Sequence, residues 1–275
     1  MSWHHPAQSV VNNPINPEIA GWTYTGLAIY HLQPDVTIDI SLVGEECAVI
    51  PLVGSVRVVA NSQIFELAGR SDVFAGPTDL CYLPPGQGAT LTSVDGGEVA
   101  VCTARSERGG PPAYHPAESV AIEIRGSGQG TRQVNQLLSA DVVGPERLMV
   151  VEVITPDGNW SSYPPHKHDE AGESECALEE IYYFRFDRPG AFGVHRAYTA
   201  DRSVNETVTV RHGDVFLVPR GYHGPSAAAP GYPMYYLNAM AGPGPRDWLV
   251  STDPEHAWLW DLWATEPPDN RLPWR

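Results

Sequence analysis

Short runs in which apolar and polar residues alternate restrict this chain to a fold built from strands. TYTGLAIYHL, DVTIDISL, ECAVIPLVGSVRVVA, SQIFELA and EVAVCTA follow one another between about Gly21 and Ala104, and LMVVEVITP opens a second such region near Leu148. A period of two sends successive side chains to opposite faces of a strand, so each run offers one face to a core. Of the 275 residues, 26 are Gly and 26 are Pro, which suits short strands joined by turns rather than long helices. A chain of this length can bury two cores of ordinary size.

Around Arg105 to Pro116 the sequence SERGGPPAYHP turns polar and rich in Gly and Pro. That is the expected boundary: an N-terminal barrel over 1–115, then, over 116–275, a linker, a second barrel and a Trp-rich tail. The linker VAIEIRGSGQGTRQV reads as a strand and a Gly-rich turn bearing Arg125 and Arg132, and TRQVNQLLSAD as a short helical turn. The two halves rhyme. GDVFLVPRGYH places a Pro-x-Gly turn after an apolar strand, as DLCYLPPGQGA does in the first half, but the first copy has no histidine after its turn. A duplicated all-β architecture, with a metal only in the second barrel, accounts for these features together.

The formal charge of −16 argues against nucleic acid and anionic membrane as partners, since phosphate is bound by clustered Lys and Arg. A metabolite is the expected ligand, and an anionic one requires a local cationic cluster. Cys47, Cys81, Cys102 and Cys176 form no CxxC pair and read as buried free thiols. MSWHHPAQSVV shows no basic segment followed by an apolar run, and no stretch approaches the ~20 apolar residues of a membrane span. The expectation is a soluble cytoplasmic protein.

His166 and His168 in PPHKHDE are two residues apart, so on a strand both imidazoles point to one face. Glu179 and Glu180 open the run EEIYYF, and His223 closes GDVFLVPRGYH. Three histidines and a carboxylate arriving from separate strands suit one divalent ion: zinc, manganese or iron(II). Glu180, Tyr182 and Phe184 share one face and Glu179, Ile181 and Tyr183 the other, and parity alone does not choose between them.

His-x-His with a downstream Glu, and a Pro-x-Gly turn followed by a further His, resemble the two signatures of the cupin superfamily. One residue, Tyr222, separates Gly221 from His223 where the general pattern has two. PPHKHD, EEIYYF, GDVFLVPRGYH, APGYPMYYLNAMAGP, DPEHAW and RGSGQGTRQV together resemble the 5-deoxy-glucuronate isomerase family of inositol catabolism. The resemblance implies a bicupin, two double-stranded β-helix (jelly-roll) barrels in one chain. It implies a metal-dependent aldose-to-ketose conversion of 5-deoxy-glucuronate into 5-dehydro-2-deoxy-gluconate. It also implies Glu180, with His166, His168 and His223, as the ligand set.

Such a reaction moves a proton between adjacent carbons and needs charge stabilisation on oxygen and a base. His195, on the strand expected after that of Glu180, and Tyr182 are the candidates for proton transfer. Arg220, Arg132 and Arg196 are candidates for the substrate carboxylate. The tail AWLWDLWATEPPDNRLPWR reads as a segment packing on a barrel or on a neighbouring subunit, and a homo-oligomer is expected. Three other readings compete: an isomerase of a related hexuronate, an iron(II) cupin dioxygenase, and a sugar-binding cupin without turnover.

Overall fold

The computed structural model describes residues 3–10 and 13–274. Its elements are almost entirely strands, and no helix is long and apolar enough to cross a membrane. In the first part of the chain the sixteen-residue strand Glu45–Ala60 bends through two sheets. Its early residues pair with Gly97–Arg105 and Leu80–Leu83, and its late residues pair with Gln63–Arg70 and Gly88–Thr92. The register shifts between Pro51 and Val53, where proline removes a ladder donor.

The second part is likewise two facing sheets. One has Glu179–Phe186 between Val215–Val218 and Met234–Ala241, and continues through Met149–Thr155 and Arg132–Leu138 to Ala121–Arg125. The other runs Asn205–Arg211, Phe192–Tyr198, Tyr222–Ala228, His166–Lys167 and Ser251–Thr252. Residues 132–138, where the sequence suggested a helical turn after Thr131, form a strand instead. Ladders on both sides, to Ala121–Arg125 and Met149–Thr155, override the weak local preference.

Among the described residues three large cores follow from strand parity, with a small fourth around Met149, Leu178 and Met240. Cys47, Val49, Val58 and Leu91 fill the first barrel, and Tyr182, Phe184, Phe216 and Tyr236 fill the second. Between them lies a third core, in which Ala48, Ile50 and Tyr82 from one part meet Ile181, Tyr183, Tyr235 and Leu237 from the other. Each fully buried large side chain contributes about 1.5–3 kcal/mol relative to exposure. Cys47, Cys81 and Cys102 are buried and Cys176 is partly covered; all four are free thiols.

Two carboxylates clamp the barrels to each other. Glu179 accepts from the backbone N–H groups of Thr23, Tyr24 and Thr25, at the start of the strand Thr25–Leu32. Glu46 does the same for Glu146, Arg147 and Leu148, just before the strand Met149–Thr155. Cys47 follows the clamp residue Glu46 in the first barrel as Glu180 follows Glu179 in the second. The Cys47 thiol is fully buried, and burial pushes its pKa well up, so it stays neutral where Glu180 carries charge.

Candidate metal centre

The clamp settles the parity question left open by the sequence. Glu179 faces the core between the barrels, and Glu180 points into the second barrel, where it is 1% exposed. His166 pairs directly across from His223 on neighbouring strands, which brings their rings to 4.5 Å between centroids. His168 follows at the end of the same short strand, its ring 4.8 Å from that of His223. The turn before His223 requires glycine: Gly221 has φ +82°, and a Cβ there would lie 2.7 Å from the Tyr198 carbonyl oxygen. Asp169 ties this turn to the histidine loop, accepting from Gly221 N at 2.7 Å and from Lys167 Nζ at 2.9 Å.

His168 Nε2 and His223 Nε2 each lie 3.0 Å from the same atom, Glu180 Oε2. The Leu178 carbonyl, 3.1 Å from His168 Nδ1, accepts a hydrogen bond from it and so favours the tautomer whose Nε2 lone pair faces the site. His166 is set in the same way by the Pro164 carbonyl, 3.1 Å from its Nδ1. His223 is 0% exposed, and among the described residues neither of its ring nitrogens has a well-aligned hydrogen-bond partner, its approach to Glu180 being close but misaligned for one. Lone pairs converging on a common point away from water need a cation between them, so His168, Glu180 and His223 fit a metal ion. With no ion between them, burial raises the Glu180 carboxyl, but the charge and N–H donation of protonated His223 and His168 outweigh it and hold the group well below the usual carboxylate range; a bound cation would take over that part. Burial lowers both His166 and His223 toward the neutral form a ligand needs, whereas in His168 the Glu180 hydrogen bond and charge outweigh burial and raise the imidazole.

The proton-transfer candidates lie together deeper in the barrel. Tyr182 shares a hydrogen bond with Ser162 Oγ at 2.9 Å, and its ring is 4.8 Å from that of His195. His195 is 0% exposed; its Nδ1 lies 2.6 Å from Ser226 Oγ, and its Nε2 has no partner. Burial pulls the His195 pKa down to about 3. The unfolded value is near 6.5, so below that pH the unfolded chain binds a proton that the folded chain refuses. Stability is therefore expected to be complete above pH ~6.5 and to fall as pH drops toward ~3, by on the order of 1 kcal/mol per pH unit. Urea unfolding at stepped pH checks this, and His195→Asn should flatten the slope. An unchanged slope would place the acid sensitivity elsewhere.

A cavity of about 450 Å³ opens beside His166, walled by Arg125, Arg132, Tyr163, Trp248 and Trp260. A second, of about 380 Å³, shares Arg125 and Trp248 with it. Of the three arginine candidates, only Arg132 lines the cavity beside His166. Arg196 stacks its guanidinium over the Tyr198 ring at 4.3 Å, and Arg220 is exposed in its turn. His212, near a strand end, is exposed.

Sequence reasoning missed Trp248, whose ring lies 6.1 Å from His166 and 5.5 Å from His168. It follows the last long strand in GPGPRDWLV, a stretch with no periodicity to mark it. Asp253 was also missed: its N–H donates to the Pro165 carbonyl and its carboxylate takes the Tyr198 hydroxyl, fastening the tail against the histidine loop.

Comparison with known proteins supports the same architecture. Residues 4–259 match the model of the KduI/IolB family. A 5-deoxy-glucuronate isomerase of Geobacillus thermodenitrificans (strain NG80-2) is 39% identical, over 94% of this chain and 94% of that protein. One of Bacillus subtilis (strain 168) is 39% identical over 86% of this chain and 88% of its own length. Among solved structures, an IolB-like protein from Salmonella typhimurium LT2 superposes with a TM-score of 0.86 at 38% identity, covering 90% of this chain and 94% of that one. An oxalate decarboxylase from Lactobacillus farciminis shares the fold alone, with a TM-score of 0.63 at 11% identity over 87% of this chain and 82% of its own. The fold is the all-β bicupin expected from the sequence. On the extent of the family match and the identity to its relatives, the chain belongs to the KduI/IolB family.

Proposed function

We propose that the chain isomerises 5-deoxy-glucuronate, the compound its relatives are named for, to 5-dehydro-2-deoxy-gluconate. In this reading His166, His168, Glu180 and His223 hold one divalent ion (zinc, manganese or iron(II)). In the same reading the second barrel, within 116–275, carries the chemistry and the first, within 1–115, buttresses it without a metal, although His4–His5 at the start of that segment pair with Val215 and Phe216 of the second barrel. The observation that carries the proposal is the approach of two imidazole Nε2 atoms to one buried carboxylate oxygen, 3.0 Å each.

The ion would supply Lewis-acid stabilisation of the charge that develops on substrate oxygen as a proton moves between neighbouring carbons. The chain's own residues supply the rest. The Pro164 and Leu178 carbonyls orient the His166 and His168 rings through their Nδ1 atoms; His168, Glu180 and His223 already bring their ligand atoms together, and His166, beside His223, would complete the set. Trp248 covers the two rings and keeps water from that side. Burial, and then the Glu180 charge, raise the Tyr182 phenol well above its ordinary range, so its Oη keeps a proton at neutral pH. That proton can be donated to Ser162 or to a substrate oxygen. His195 supports the Tyr182 ring from below.

An NMR time course of 5-deoxy-glucuronate with the metal-loaded protein in deuterated water tests this. The expected result is the ketone, with solvent deuterium at the former carbonyl carbon. Absence of ketone would remove the function, and substrate-dependent oxygen uptake in its place would make the chain an oxygenase.

A further inference from the structure

Of the three arginines buried among the described residues, Arg70, Arg132 and Arg185, two have carboxylate partners in the interior. Arg70 meets Glu152 at 2.7 Å and Arg185 meets Glu98 at 2.9 Å. Arg132, only 8% exposed, has no carboxylate within ion-pair distance among the described residues. Its Nη1 donates to the carbonyls of Tyr163, at 3.1 Å, and Gly130, at 3.3 Å, and the other guanidinium nitrogens make no hydrogen bond among those residues. An uncompensated buried cation is costly, and burial here pulls the Arg132 pKa down to about 10, which still leaves it charged at neutral pH.

Position gives that cost a use. Arg132 and His166 line the same cavity. The Tyr163 carbonyl that anchors Arg132 is three residues before His166, a separation of at most about 10 Å of extended chain. A six-carbon open chain is about as long as two extended residues, roughly 7 Å, within the reach of a cavity that both His166 and Arg132 line. Arg125, on the same cavity wall, is already spent on Glu123 at 2.8 Å, and Gln136 also donates to that carboxylate. The net positive charge left in the cavity wall is that of Arg132.

We propose that Arg132 is the anchor for the substrate's carboxylate, so that the site selects aldoses bearing a carboxylate at the end of the chain remote from the carbonyl. This rests on the isomerase reading for the identity of the substrate, but the anion site itself does not require turnover. Both arms of the test use the metal-loaded protein. In the first, calorimetry compares D-gluconate with sorbitol, its neutral counterpart. The wild type is expected to bind gluconate at least 10-fold more tightly; Arg132→Met should abolish that preference at unchanged metal content, and Arg132→Lys should keep part of it. A preference that survives in Arg132→Met, or is missing from the wild type, overturns the anchor.

In the second arm, Arg132→Met is expected to raise KM for 5-deoxy-glucuronate about 10–100-fold while kcat changes far less. An unchanged KM, or an equal loss in kcat with KM constant, overturns the proposal. If 5-deoxy-glucuronate is not turned over by the wild type, the isomerase reading falls and the gluconate titration alone decides the anchor.

Discussion

Glu180→Gln is expected to leave a folded protein that holds its ion at least ~100-fold more weakly and turns substrate over at least ~10³-fold more slowly. The substitution conserves shape, so packing against Met240 and Val218 across the ladders is kept. Charge is what it removes. The carboxylate is nearly inaccessible to water, and what keeps it ionised there is positive charge beside one of its oxygens, from imidazolium or from an ion between the rings. An amide there offers a neutral oxygen or, if flipped, a donor, and neither draws a cation between His168 and His223. Metal analysis after dialysis and the ketone time course report the two losses, with circular dichroism as the folding control. Glu179→Gln makes the contrast: that carboxylate accepts three backbone N–H groups of the first barrel, so its loss should lower stability while the ion is retained. A Glu180→Gln protein with full metal content and turnover would mean that the ligands are misassigned.

That two adjacent glutamates have opposite duties shows where the sequence could be read and where it could not. The period-two runs and turn residues were enough for the all-β class, because strand alternation is a local property. The histidines were legible for a related reason: His166 and His168 share a face by spacing, and Pro-Arg-Gly turns the chain so that His223 comes back beside them. The choice between Glu179 and Glu180 depended on Thr23, Tyr24 and Thr25, more than 150 residues away. No pattern within the EEIYYF run contains that contact. Residues 132–138 failed as a helical turn for the same reason, since their buried polar side chains find partners far along the chain. Asn135 donates to Glu152, and Gln133 accepts from the backbone of Trp274. Likewise the three arginine candidates were indistinguishable until the cavity wall showed which one faced it.

Arg70→Ala is expected to be the most damaging single change to stability, costing about 3–5 kcal/mol and lowering Tm by roughly 10 °C. Arg70 comes from the first barrel and Glu152 from the second, and the guanidinium grips both carboxylate oxygens, at 2.9 and 2.7 Å. Asn135 and the Tyr235 hydroxyl bind the same carboxylate, so Glu152 cannot swing out to water when its partner is lost. It would be left as a buried charge held by neutral donors, the situation in which breaking a pair costs far more than the pair itself contributes. Replacing both partners by apolar groups of similar size, as in R70M/E152L, should therefore recover much of the loss. Urea and thermal unfolding of the two variants measure the difference. The consequence for chemistry is more specific. Glu152 lies across the ladder from Asn135, on the strand that begins with Arg132, so disturbing it reaches the cavity through that strand. If the proposed ligands, all in the second barrel, hold the ion, metal content should persist in the folded fraction of Arg70→Ala, whereas binding of the anionic substrate should weaken. Loss of both together would mean that the two barrels hold the ion jointly, and not through the second alone.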